Sequence, residues 1–135
     1  MTKYLAAYAA ATLLMLTLDG LWLGLLAKDF YQQGLGYLMA ESPRWGPALL
    51  FYGLYPLGLL VFAVLPTSQG METAGLAPAL WRGALFGLIA YATYDLSNLA
   101  TLKDWPVWVS AVDIAWGAFA SCLATLAARL AYDRF

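Results

Sequence analysis

The sequence predicts an all-α polytopic integral membrane protein: four transmembrane helices in an up-down bundle, with a short interfacial segment between helices 1 and 2. Three observations carry this. The 135 residues are 63% hydrophobic and 11% charged, whereas a soluble domain carries about 25% charge. The apolar residues fall into four runs, each long enough to cross a hydrocarbon core of about 30 Å. Proline, glycine and charged pairs separate the runs, so residues 1–135 read as a single four-helix transmembrane domain with no room for a separate soluble one.

The first span is Tyr4–Ala27, stopped by Lys28 and Asp29. Lys3 before an apolar run has the outline of a secretory signal. The run is too long for one and lacks a small-residue cleavage site near its end, so an uncleaved span is expected. The second span is about Gly46–Leu65, opened by Pro43 and Pro47 and closed by Pro66. The third starts at Pro78 and runs to Leu102, where Lys103 and Asp104 make a tight turn. Pro106 then takes the first position of a fourth span that ends near Tyr132. Four spans put both termini on one side. Lys3, Arg82, Arg129 and Arg134 lie on that side, against Lys28, Arg44 and Lys103 on the other. The positive-inside rule therefore leans towards cytoplasmic termini in a bacterial inner membrane.

Two connections differ in character. Thr67–Ala77 is small, polar and glycine-containing, which reads as a flexible link between two helical hairpins. Asp29–Trp45 mixes Phe30, Tyr31, Leu35, Tyr37, Leu38, Met39 and Trp45 with charges and amides. It is expected to lie on the membrane surface, as a short helix or, by preference, as an aromatic anchor. Trp45, Trp81, Trp105 and Trp108 also fall at interfaces, as an aromatic belt would. Gly20 with Gly24, Gly83 with Gly87, and Gly117 with Ser121 are each spaced by four. Such spacing lets helices approach closely, within the bundle by preference and in a homo-oligomer as the alternative.

Charge and composition remove several function classes. A net charge of −1 with scattered basic residues gives no nucleic-acid footprint. With no histidine, the usual neutral metal ligand and triad base are missing. Cys122 is the single cysteine and lies within the last span, so it reads as a structural thiol.

Chemistry concentrates on three aspartates. Asp19, Asp95 and Asp113 each sit in a different span, where one carboxylate at a helix centre costs about 2.5–3.5 kcal/mol. Counting 1.5 Å per residue from Lys28, Lys103 and Pro106, each lies roughly 10–14 Å below the same membrane surface, the one that carries Asp29–Trp45. Tyr52 and Tyr55 occupy that level in the second span, where Pro56 leaves the Tyr52 carbonyl free to accept another donor. At about 100° per residue, Tyr91, Tyr94, Asp95, Asn98 and Thr101 form one polar arc. Tyr8, Thr12 and Asp19 lie nearly on one line of the first span, with Trp22 a turn beyond. The elements Asp19-Gly20-Leu21-Trp22 and Asp113-Ile114-Ala115-Trp116 echo each other weakly; duplicated transporter halves show such symmetry, and chance in an apolar sequence, the preferred reading, produces it easily.

These residues predict a binding site of Asp19, Asp95, Asn98, Asp113, Tyr52, Tyr91, Trp22 and Trp116. No lysine or arginine lies deep enough to pair with the carboxylates. Repulsion and desolvation then require that at least one holds a proton unless a cation is bound. No cofactor is predicted, though the oxygen-rich set would also suit a hard divalent such as Mg²⁺ or Mn²⁺.

The run Ala90–Pro106, with its Tyr94-Asp95-Leu96-Ser97-Asn98-Leu99-Ala100-Thr101-Leu102 element, together with Val112–Gly117 and Leu18–Gly24, resembles the bacterial predicted-membrane-protein family called domain of unknown function 2177. The resemblance covers nearly the whole chain and implies a small bacterial four-span protein without assigning an activity. Three roles stay open. The acidic layer points first to a carrier or binding protein for a proton, a cation or a small polar or cationic molecule. An enzyme acting on a lipid or isoprenoid would use an aspartate as general acid or to hold Mg²⁺, but the sequence lacks a paired Asp-x-x-x-Asp element and leans away from it. A purely structural or partner-binding membrane subunit is the third, with the layer serving only as a hydrogen-bonded lock on helix register.

Overall fold

The computed structural model describes residues 1–69 and 75–135. Helix α1 (Thr2–Leu21) continues through a π turn at Trp22–Leu26 and is followed by the short α2 (Lys28–Leu35) and a 3₁₀ turn at Gly36–Leu38. Helix α3 (Trp45–Leu59) passes through a second π turn at Leu60–Val64 into α4 (Leu65–Ser68), and α5 (Leu76–Thr101) and α6 (Val107–Arg134) complete the described chain. Four stretches are long and apolar enough to span a membrane: Thr2–Leu26, Trp45–Ser68, Leu76–Thr101 and Val107–Arg134. The expected all-α polytopic class is what forms.

Contacts at one end fix the up-down order. Tyr4 and Tyr132 meet edge-to-face with centroids 5.6 Å apart, and the Gln69 amide donates to both phenol oxygens at 3.2 Å. The two termini and the end of the second span therefore share one end. Helix α6 packs along both α5 and α1, α3 leans on α1, and α3 reaches α5 mainly through the Leu60–Val64 turn. The core is Ala7, Ala11 and Met15 of α1, Tyr55 and Leu59 with Leu60 and Val64, and Ala124, Ala128 and Tyr132 of α6. Outward, Leu13, Leu25, Leu49 and Phe62 are all exposed. Apolar surface this extensive is what a lipid-facing bundle presents.

Several boundaries move from their sequence positions. Pro66 does not end the second span, which runs on to Ser68. Proline at 66 deprives the Phe62 carbonyl of its helical donor, and Arg82 Nη1 supplies one at 3.4 Å. The Thr67–Ala77 link shrinks likewise: Thr67 is buried, donates to the Ala63 and Val64 carbonyls at 2.9 Å and accepts from Arg129 Nη1 at 3.2 Å. Residues 70–74 of that link lie outside the described residues. Beside Pro56, the carbonyl that receives a side chain is Gly53, from the Tyr8 hydroxyl at 2.9 Å, rather than Tyr52. The turn after α5 holds Asp104 at φ 61°, a left-handed conformation that aspartate tolerates better than most residues. Trp105 leaves the interfacial belt: it is buried and donates to the Ser110 hydroxyl at 3.0 Å.

The small-residue pairs separate into two kinds. On α5 and α6 they interlock, since a Cβ on Gly83 would strike Thr125, one on Gly87 would strike the Gly117 carbonyl and Ser121, and one on Gly117 would strike Tyr91. Gly20 and Gly24 meet nothing within 4 Å and take no part in bundle packing. Alanine should therefore act oppositely at the two places. Gly87→Ala is expected to destabilise by about 1–3 kcal/mol through overpacking, and Gly20→Ala to be neutral or to stabilise by up to about 1 kcal/mol through helix propensity. Denaturant melts of both variants in one detergent check this, and equal losses would contradict the assigned interface.

Candidate functional site

Antiparallel α1 and α6 bring the two Asp-x-x-Trp elements face to face. Trp22 and Trp116 stack with ring centroids 4.4 Å apart and planes 7° from parallel. Each indole then serves the other element's aspartate. Trp116 Nε1 donates to Asp19 Oδ1 at 3.1 Å, and Tyr52 of α3 donates its hydroxyl to Asp19 Oδ2 at 2.9 Å. Trp22 Nε1 donates to the Tyr31 hydroxyl at 3.1 Å, and that hydroxyl donates in turn to Asp113 Oδ1. The sequence echo is thus a reciprocal pair in space, direct in one direction and relayed through Tyr31 in the other.

Tyr31 is the residue that sequence reasoning missed as a site member. It reaches Asp113 because the π turn at Trp22–Leu26, closed by Ala27 N–H to the Trp22 carbonyl at 2.7 Å, lets α2 fold back over the bundle. Helix α2 seats closely there: a Cβ on Gly34 would lie 2.7 Å from Val109 Cγ2, and Phe30 meets Trp108 edge-to-face at 4.6 Å. Ala27, Tyr31 and Val109 form a small buried cluster beneath it. Asp29–Trp45 is therefore more than an anchor, because its helical half closes one end of the site. Gly34, three residues after Tyr31 and on the same helical face as Leu35, was a local signal that this segment packs against a neighbour. Burial, and then the Asp113 acceptor, push the Tyr31 phenol above its ordinary titration range.

A cavity of about 420 Å³ opens between these groups. Asp19, Trp22, Tyr31, Tyr52, Tyr91, Asp113 and Trp116 line it, with Phe51 and Tyr94 also on its wall. Six of the eight predicted site residues are brought together here: Asp19, Asp113, Tyr52, Tyr91, Trp22 and Trp116. Asp19 is nearly buried and has donors on both oxygens. Asp113 is half-buried, and its Oδ2 has no donor among the described residues.

Asp95 and Asn98 do not line this cavity. Asp95 continues the α5 ridge of Gly83, Gly87 and Tyr91, the ridge that seats on α6. It is fully buried, and neither carboxylate oxygen has a hydrogen-bond partner among the described residues. Asn98 is half-buried, and its carbonyl accepts the Leu102 N–H at 2.8 Å to close α5. Among the described residues no group of three or more His, Cys, Asp or Glu side chains is placed to hold a metal ion. A divalent cation at the Asp19–Asp113 pair would have to complete its shell with water or ligand oxygens.

Replacing Tyr31 by phenylalanine removes the Asp113 donor and the Trp22 acceptor together, at an expected cost of about 1–3 kcal/mol. The pH dependence has a definite sign. A phenol whose titration is raised by folding adds stability that is complete below the unfolded value of about 10 and is lost as pH rises through the folded value. The melting difference between wild type and Tyr31→Phe should stay constant up to about pH 9 and shrink above about pH 10. Thermal melts across that range test it, and a difference that grows with pH would be inconsistent with the assigned bond.

Residues 4–130 match the profile of a family described as Predicted membrane protein (DUF2177). No curated protein and no solved structure matches the chain.

Proposed function

The chain belongs to this predicted membrane protein family, and from that premise we propose that it is a carrier or binding protein whose intramembrane acidic cavity takes a proton, a cation or a small polar or cationic molecule. One observation carries the reading: Asp19 and Asp113 line the same cavity, with tryptophan and tyrosine rings on its walls. Carboxylates attract a cation across low-dielectric surroundings, and ring faces add cation–π attraction without adding net charge. The free Asp113 Oδ2 supplies an acceptor, while Asp19, already bonded twice, supplies charge at a fixed place.

Asp95 supports the proton-coupling part. A buried charge with no donor is far costlier than a buried neutral acid, so the arrangement around Asp95 suits a carboxyl that keeps its proton.

Asp→Asn substitutions separate the reading from its alternatives. In protein reconstituted into liposomes, Asp19→Asn and Asp113→Asn should each lower pH-dependent cation uptake by at least about tenfold, the equivalent of about 1.4 kcal/mol, while thermal stability changes little. Unchanged uptake with altered stability would leave only a structural role. Lipid turnover that requires Mg²⁺ and fails in the same variants would replace the carrier reading with the enzyme.

We infer further that the protein sits in a bacterial inner membrane with cytoplasmic termini. The support is the slight excess of basic residues at the termini's end, Lys3, Arg82, Arg129 and Arg134 against Lys28, Arg44 and Lys103 at the other. A reporter active only outside the cytoplasm should stay silent when fused after Phe135 and become active when inserted between Met39 and Pro43. The reverse pattern would invert the assignment.

A further inference from the structure

Helices α3 and α5 touch through the Leu60–Val64 turn but part above it. Phe51 and Tyr55 on one side, and Ala90, Tyr91 and Tyr94 on the other, line a groove of about 410 Å³. Phe51, Tyr91 and Tyr94 also belong to the wall of the acidic cavity. Phe51 is 37% exposed and Tyr94 56% exposed, so the mouth of the groove faces sideways, into the hydrocarbon layer that surrounds the bundle. The groove is almost wholly apolar at its mouth and acquires charge only at its inner end, where Asp19 and Asp113 stand.

We propose that this groove is a lateral portal through which a membrane-dissolved amphiphile with a protonated amine head and one hydrocarbon tail reaches the acidic cavity. The proposal rests on the cation-site reading and narrows its ligand class. Charge complementarity sets the head: the cavity offers two carboxylates, and Asp113 Oδ2 is free to accept an ammonium N–H. Continuity with the groove sets the tail. A small hydrated cation arriving from water would gain nothing from an apolar slot that opens onto lipid, whereas a single chain can lie in the slot and stay in contact with lipid along one side. Tyr55 and Tyr91, 6.3 Å apart edge-to-face, form the floor on which the first methylenes rest. Van der Waals contact with that floor, rather than removal of apolar surface from water, distinguishes the bound tail from a tail in the bilayer.

The test uses full-length protein in phosphatidylcholine nanodiscs at neutral pH, with tryptophan fluorescence reporting on the Trp22–Trp116 stack. Dodecylammonium and ethylammonium are the probes. Dodecylammonium should change the emission saturably, and ethylammonium should produce no saturable change at the same total concentration. Ala90→Leu, which fills the groove without touching the acidic cavity, should raise the dodecylammonium half-saturation by about tenfold. Asp19→Asn combined with Asp113→Asn should abolish the saturable response. The chain-length comparison needs only wild-type protein, so it stands even where a variant fails to fold. If ethylammonium binds as well as dodecylammonium and Ala90→Leu changes neither, the site takes cations from water: the portal is wrong and the cation-site reading stands. If the dodecylammonium response persists in the double aspartate variant, both readings fall together. Disulfide-linked dimers formed through Ala90→Cys in a Cys122→Ser background would show a second copy covering the groove and would also overturn the portal.

Discussion

Everything at the acidic end of the bundle depends on how two carboxylates on antiparallel helices find donors inside a membrane. A helix cannot supply them from its own backbone, because its interior N–H groups are already committed to carbonyls one turn back. The donors must come from a neighbour. Two antiparallel helices carrying the same Asp-x-x-Trp spacing solve this by local two-fold symmetry, which brings each indole towards the other helix's aspartate. The symmetry is broken at one point. Trp116 reaches Asp19 directly at 3.1 Å, while Trp22 reaches only Tyr31, so Asp113 needs the phenol that α2 brings in. The π turn, the fold-back of α2 and its close seating at Gly34 together deliver that phenol.

Much of this was legible in the sequence, for reasons tied to membrane geometry. Hydrocarbon thickness fixes span length, so four apolar runs bounded by prolines or charged residues sufficed to predict the bundle, and rise per residue sufficed to place Asp19 and Asp113 at one level with Tyr52. Helical phase was less informative. It shows which residues share a face of one helix but not which neighbour that face meets. Asp95 and Tyr91 share a polar arc, yet Tyr91 reaches the cavity wall while Asp95 is buried along the ridge that α5 presses on α6. Tyr31 and Trp105 were illegible for another reason: an aromatic near a membrane surface has the same composition signal whether it anchors in headgroups or turns inward. Nor does any residue pattern announce a π turn. At Trp22–Leu26 and Leu60–Val64 one extra residue per turn re-aims the downstream helix, and only the tertiary contacts reward it.

Packing is divided unequally around the site, and the division bears on how it works. The α5–α6 interface is locked by glycines that admit no Cβ. Asp113 and Trp116 ride on this rigid half. Helix α3 is held more loosely. Its ladder is interrupted at Pro56 and Pro66 and shifted by a π turn, and beyond Tyr55, which meets Phe86 and Tyr91 edge-to-face, a groove separates it from α5. Tyr52, the second donor to Asp19, comes from this looser half.

A site assembled from one rigid and one compliant half has a direct energetic consequence. Displacing α3 leaves Asp113, Trp116 and the tryptophan stack in place but removes Tyr52 from Asp19, so the Asp19 charge loses one of its two donors. Charge-assisted bonds of this kind are worth about 1.5–3 kcal/mol. A cation arriving beside Asp19 can replace the lost donor. On the proposed cation-binding reading, opening of α3 and occupation of the cavity would be coupled through the same oxygen, Asp19 Oδ2, with no change required in the α5–α6 scaffold. By linkage, a cation that binds more tightly once α3 has moved would favour that conformation to the same extent that the conformation favours the cation.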